Sequence, residues 1–92
     1  FGLPTEIQLE QNHPNPFNPS TTIRYALPQN DQVLLEVFSL LGQRVAVLVD
    51  GRMPAGWHEA RFDATGLASG LYVYRLTTDG GGTRARRLML LN

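Results

Sequence analysis

The 92-residue chain balances eight basic against eight acidic residues, has no cysteine, and is 42% hydrophobic with a pI near 6.9. That length holds one small domain with one core, and the inventory rules out disulfides and thiolate metal sites and shows no electrostatic footprint for nucleic acid. No apolar run approaches the ~20 residues that span a bilayer, and no basic-then-apolar leader opens the chain. All eight basic residues are arginine, a side chain suited to bidentate ion pairs. A chain that opens on Phe1 is expected to be a piece of a longer exported precursor.

Residues 1–4 read as the end of a linker. In residues 6–11, Ile7 and Leu9 alternate with polar residues and predict a weak first strand. His13-Pro14-Asn15-Pro16-Phe17-Asn18-Pro19 follows. Each of its three prolines fixes φ, lacks an N–H and biases the residue before it towards extended geometry, which excludes a helix or a central strand. The segment is expected to be a stiff, extended lead-in with Phe17 as its only large apolar anchor. It delivers the chain into a strand at residues 21–27, with Ile23, Tyr25 and Leu27 on one face.

Pro28-Gln29-Asn30-Asp31 supplies turn residues. Residues 32–40 put Val33, Leu35 and Val37 on one face and Leu34, Glu36 and Phe38 on the other, and their β-branched content favours a strand. Leu41-Gly42-Gln43 closes a hairpin into a strand at residues 44–49. Asp50-Gly51 and Ala55-Gly56 bracket a loop from which Pro54 excludes regular pairing. Residues 57–63 alternate His58, Ala60 and Phe62 against Trp57, Glu59 and Arg61.

Residues 64–70 form a turn-rich connection with room for one turn of 3₁₀ helix, and residues 71–78 place Tyr72, Tyr74 and Leu76 on a shared face. Gly80-Gly81-Gly82 turns the chain into a last strand at residues 83–91. About seven short strands separated by Gly, Pro, Asp and Asn, with no helical period, predict an all-β, immunoglobulin-like antiparallel β-sandwich. A barrel or an open sheet are the alternatives. A single sheet would leave Leu34, Phe38 and Trp57 wet.

Chemistry has few places to reside in a chain with two histidines, no cysteine and no lysine. Asp63, His58 and Ser69 contain the residue types of a triad, yet no activated-serine turn surrounds Ser69 and no oxyanion element accompanies it. Asp31, Asp50 and Asp79 sit in turns without the D-x-D-x-D-G spacing of a calcium loop. No catalytic, metal or cofactor residue is assigned. Trp57, Tyr72, Tyr74 and Phe38 are the aromatics a sugar platform would use, although Tyr72 and Tyr74 share the core face of Leu76. Arg84, Arg86 and Arg87 form either a small basic patch or a solvated strand face. The apolar run at residues 88–91 breaks alternation, which means burial on both faces or an exposed stripe awaiting a partner.

The proline-rich run, Leu40-Leu41-Gly42-Gln43-Arg44-Val45, Pro54-Ala55-Gly56 and the stretch from Leu67 through Gly70, Tyr72 and Tyr74 to Leu76 resemble, together and in order, the C-terminal type A sorting domain of the type IX secretion system. The same pattern overlaps immunoglobulin-like domains related to the flagellar hook-capping protein, and the resemblance runs from Leu9 to Asn92. Pro14, Asn15, Pro16 and Phe17 match the family's first motif, Gly42 its hairpin, and Gly70, Tyr72 and Tyr74 its glycine-aromatic strand. Phe62 stands where the family buries an aromatic, which implies that His58, Ala60 and Phe62 face inward and Trp57 outward or at an edge.

The resemblance implies a non-catalytic address that follows a cargo domain in the same chain. An outer-membrane translocon would recognise it, and a cell-surface sortase would remove it and link the cargo to anionic lipopolysaccharide. The destination would be the surface or medium of a Gram-negative bacterium, reached through the periplasm. Residues 12–92 would be the sorting domain, with residues 1–11 the linker's end, a short first strand and the region of cleavage. The candidate recognition segment is Arg86, Arg87, Leu88, Met89, Leu90, Leu91 and Asn92, offered as a sheet edge or an ordered tail. Ending on Asn92 instead of Lys or Arg, and carrying Phe62 where tryptophan is frequent and His13 where an aromatic is usual, are departures from the family pattern. The hook-capping likeness implies instead a structural module of a surface or appendage protein.

Overall fold

The computed structural model describes residues 3–91, and every regular element among them is a β-strand. β1 (Gln8–Leu9), β2 (Ser20–Leu27) and β5 (Gly56–Asp63) make one antiparallel sheet in that order. The second sheet runs β4 (Arg44–Met53), β3 (Asp31–Ser39), β6 (Gly70–Thr78) and β7 (Gly82–Leu90). Each sheet has one apolar face, and the two faces close on each other as the immunoglobulin-like sandwich that the strand spacing predicts.

The period-2 faces fall where alternation puts them. Ile23, Tyr25 and Leu27 of β2, Val33, Leu35 and Val37 of β3, and Tyr72, Tyr74 and Leu76 of β6 are all buried. Ile7 and Leu9 join the same core, so the weak first segment contributes apolar surface although β1 is only two residues long. Ala60 and Phe62 face inward from β5, while Trp57 stays 40% exposed on the outside. Gly42, at φ +86°, closes the β3–β4 hairpin with its N–H on the Ser39 carbonyl, and an L side chain there would be strained.

Four expectations change. The lead-in is not an extended rod: His13 exchanges backbone hydrogen bonds with Thr22 of β2, and Phe17 bridges to Leu90 of β7 in the other sheet. A segment that must touch both sheets within four residues has to bend. The peptide bonds before Pro14, Pro16 and Pro19 are cis. Secondly, β4 does not stop at Val49. Asp50 and Gly51 pair with Leu34 and Val33, because β3 is long enough to continue the ladder past these turn-forming residues, and only Pro54 and Ala55 connect to β5.

Thirdly, the sandwich leaves Leu34, Phe38 and Trp57 on its outer faces, where arginines cover the two rings. The Arg75 guanidinium lies 4.6 Å from the centre of Phe38 and that of Arg24 lies 4.2 Å from Trp57. Glu36, only 4% exposed, sits on the same outer face and is neutralised by Arg44 at 3.2 Å and Arg75 at 3.1 Å. Lastly, the connection after β5 is a turn without 3₁₀ helix, closed by the Leu67 N–H on the Ala64 carbonyl.

Tyr74 joins core and edge. Its ring is fully buried, its hydroxyl donates to the Glu10 carbonyl at 2.6 Å and it accepts the Asn12 N–H at 2.9 Å. Burial raises its pKa, and the Asn12 bond and the Arg86 charge only partly oppose this. The neutral phenol is therefore favoured in the fold. Its contribution is complete below the ordinary tyrosine value of about 10 and is lost as pH rises through the raised folded value. Tyr74→Phe should lower stability at neutral pH by about 1–3 kcal/mol, because it strands the buried Asn12 N–H and the partly buried Glu10 carbonyl. It should also flatten the decline in the urea midpoint above about pH 10, measured by circular dichroism.

Candidate recognition surface

The last strand sits at the edge of the second sheet, and its alternation resolves the apolar run. Leu88 and Leu90, opposite Tyr72 and Gly70, point into the core at 1% and 0% exposure. Arg87 and Met89, opposite Val73 and Leu71, point outward, and Leu91 continues that side half exposed. Of the described part of the segment singled out by sequence, Arg87, Met89 and Leu91 lie on the outward side, and Arg86 is exposed but turned towards Leu9. Asn92 lies outside the described residues. Leu88 and Leu90 hold the sandwich together, and the Arg86 guanidinium donates to the Leu9 carbonyl.

The edge itself is occupied. The Phe17 N–H donates to the Met89 carbonyl and the Leu91 N–H donates to the Phe17 carbonyl, both at 3.0 Å. The Met89 N–H binds Asn15 Oδ1 at 3.0 Å, and Gln11 Nε2 donates to the Arg87 carbonyl at 2.7 Å. Over residues 87–91 the lead-in already takes hydrogen-bonding groups of the last strand, so that stretch is not a free edge. What the lead-in leaves open is an outward patch of Leu71, Val73, Arg87, Met89 and Leu91.

The motif residues divide by task. Phe17 is 2% exposed and packs against Phe62 with ring centres 5.9 Å apart, plugging one end of the core. Asn15 supplies the Met89 contact, and the Pro14 carbonyl accepts from the Thr21 hydroxyl and from Asn12 Nδ2. Pro16 lies in the exposed bend between these anchors. Gly70 starts β6 at φ +147°, and the Tyr72 hydroxyl donates to the Ala68 carbonyl at 2.6 Å. Asn12 and Thr21, both 2% exposed, were not singled out by the sequence, though they carry the network that fixes the lead-in. The available signal was a pair of short polar side chains flanking prolines, where the backbone lacks donors of its own.

The other candidate residues stand apart. Arg86 lies on the inward face of β7 and Arg87 on the outward face, so the C-terminal arginines make no single basic patch. His58 stacks on Tyr25 and its Nε2 meets the Pro54 carbonyl at 2.7 Å. The Asp63 carboxylate takes the Thr65 hydroxyl and N–H, and these bonds hold its pKa below the usual carboxylate range, so neither residue is poised to act on Ser69. Tyr72 and Tyr74 are buried, which leaves Trp57 and Phe38 on opposite outer faces and no aromatic platform among the described residues. An open depression of about 750 Å³ beside Trp57 is lined by Arg24, His58 and Glu59. Among the described residues no group of three or more metal-ligating side chains converges.

One family model, described as a secretion system C-terminal sorting domain, matches residues 11–90 of the chain. The matched stretch begins at Gln11 and ends at Leu90, the span over which lead-in and last strand hold each other. No curated protein matches the chain.

Asn15→Ala should leave the sandwich folded while removing one donor–acceptor contact from the β7 edge. Amide exchange at Met89, followed by NMR, should accelerate about five- to tenfold, with amides of β3 unchanged.

Proposed function

The chain belongs to the secretion system C-terminal sorting domain family and is a sorting signal for type IX secretion, which exports its upstream cargo through the Gram-negative envelope to the cell surface or medium; from this premise we propose that the outward patch of β6 and β7 is what the outer-membrane translocon reads. The observation that carries this reading is the division of labour along β7. Leu88 and Leu90 are consumed by the core, the strand's edge by the lead-in and the exposed Arg86 is held by the Leu9 carbonyl, which leaves Arg87, Met89 and Leu91 as the outward side chains free to meet a receptor. They adjoin Leu71 and Val73, making a half-exposed apolar strip with one guanidinium that has no ion-pair partner among the described residues.

The family is non-catalytic in general. The same reading is proposed for this chain, with residues 12–92 as the sorting domain and no cofactor. A surface sortase would cut ahead of Ile7, since Ile7 and Leu9 are core residues that a protease could reach only by opening the sandwich, whereas Leu3 is 63% exposed. Pro14, Asn15, Pro16, Phe17, Gly42, Gly70, Tyr72 and Tyr74 shape and hold the surface and do not touch the receptor.

Deleting residues 86–92 would also remove Leu88 and Leu90, so loss of export in that variant would not separate recognition from folding. Outward substitutions do. A periplasmic reporter fused ahead of the chain in a type IX-competent host should reach the surface or medium. Arg87→Glu combined with Met89→Glu should cut delivery about tenfold or more, with the melting temperature of the purified domain within a few degrees of the parent. Unchanged delivery of that folded variant would refute the assignment.

A further inference from the structure

A two-sheet sandwich has four edges, and three of them are blocked. β1 is two residues long, β7 is capped by the lead-in over residues 87–91, and β4 carries register shifts opposite Leu35/Glu36 and Val37/Phe38 that bend its edge out of a regular ladder. β5 differs from all of these. It pairs with β2 in unbroken register over its whole length, from Gly56 opposite Leu27 to Asp63 opposite Ser20, and contains neither proline nor lysine.

The phase of its ladder is fixed on both sides. Ala64 donates to the Pro19 carbonyl and Glu10 donates to the Arg24 carbonyl, so Ile23 and Tyr25 turn their backbone groups towards β5 and Arg24 turns its groups away. By the alternation of an antiparallel pair, the N–H and C=O groups of Trp57, Glu59, Arg61 and Asp63 then point out of the sheet. None of these groups has a partner among the described residues. The chemistry that satisfies such a row is another extended strand.

We propose that this strand is β5 of a second copy of the chain, joined across a two-fold axis through Ala60 so that the two three-stranded sheets become one. A two-fold axis normal to the sheet sets one residue opposite itself, which leaves few registers. Centring on Ala60 places Glu59 opposite Arg61 twice, Trp57 opposite Asp63 twice and His58 opposite Phe62. Centring on Glu59 opposes two glutamates. Centring on Arg61 opposes two arginines and sets Glu59 against Asp63. Centring on Phe62 sets Arg61 opposite Asp63 but leaves Trp57 and Glu59 facing residues beyond the strand's end, whereas the Ala60 register is complementary in charge, uses most of β5 and pairs through the outward-pointing backbone groups of Glu59 and Arg61. The Glu59 carboxylate is exposed and has no ion-pair partner among the described residues, and Arg61 spends one nitrogen on the Ser20 hydroxyl at 2.9 Å.

The test is sedimentation of the full 92-residue chain from micromolar to millimolar concentration, with circular dichroism on every variant. The parent should show a reversible monomer–dimer equilibrium. Arg61→Glu and Glu59→Arg should each weaken it by about tenfold or more, since each puts like charges directly opposite at two symmetry-related positions. Mixing the two variants should restore association as a heterodimer, because both pairs between positions 59 and 61 are then again of opposite sign, and a misfolded variant would not be rescued this way. If Glu59→Arg does not fold, the double variant Glu59→Arg/Arg61→Glu takes its place and should self-associate like the parent. A chain that stays monomeric throughout, a dimer indifferent to Arg61→Glu, or one lost on Val47→Arg in β4 would each overturn the proposal.

Discussion

The contact on which the rest of the molecule depends is the one between Phe17 and the last strand. Its two backbone hydrogen bonds, the Asn15 contact with Met89 and the Gln11 contact with Arg87 fasten residues from the chain's first fifth to its final strand. Phe17 cannot be placed otherwise. Its ring fills the space beside Phe62, and the bend around Pro16 is anchored by His13 on one sheet and by Leu90 on the other. With the edge so occupied, the direction of every side chain on β7 is fixed, and the outward patch inherits its geometry from a segment that does not belong to it.

Arginine does on the outer faces what a third layer would do in a larger protein. Arg24 and Arg75 lie over Trp57 and Phe38, and Arg44 and Arg75 enclose Glu36. The planar guanidinium stacks on a ring and bonds a carboxylate with the same group, which a lysine ammonium does less well. These pairs keep large apolar side chains from forming a continuous exposed surface. Arg87 stands outside this arrangement, next to half-exposed Leu71 and Met89, and that contrast distinguishes the β7 side from the rest of the same sheet.

Much of this was legible in the sequence where side chains alternate without interruption. β2, β3 and β6 carry clean period-2 apolar faces, and β-branched or aromatic residues make a helical reading poor. The end of β4 was not, because Asp50-Gly51 is a strong local turn signal and only the length of the facing strand overrides it. Proline rules describe the φ of each residue and not the destination of the chain, so the bend of the lead-in was hidden. Four apolar residues in a row have no period, and the split of Leu88 and Leu90 from Met89 and Leu91 is set by pairing with Gly70 and Tyr72. The Asn15–Met89 contact spans 74 residues and leaves no local trace.

Because the closing strand is the last part of the sandwich to be synthesised, the domain distinguishes finished chains from unfinished ones. A polypeptide that terminates short of Leu88 leaves Phe17 without its strand partner, exposes the apolar faces of β2 and β6 and lacks Met89 and Leu91 of the outward patch. On the proposed reading of that patch, export is conditional on complete translation of everything upstream, a proofreading step built into the address itself.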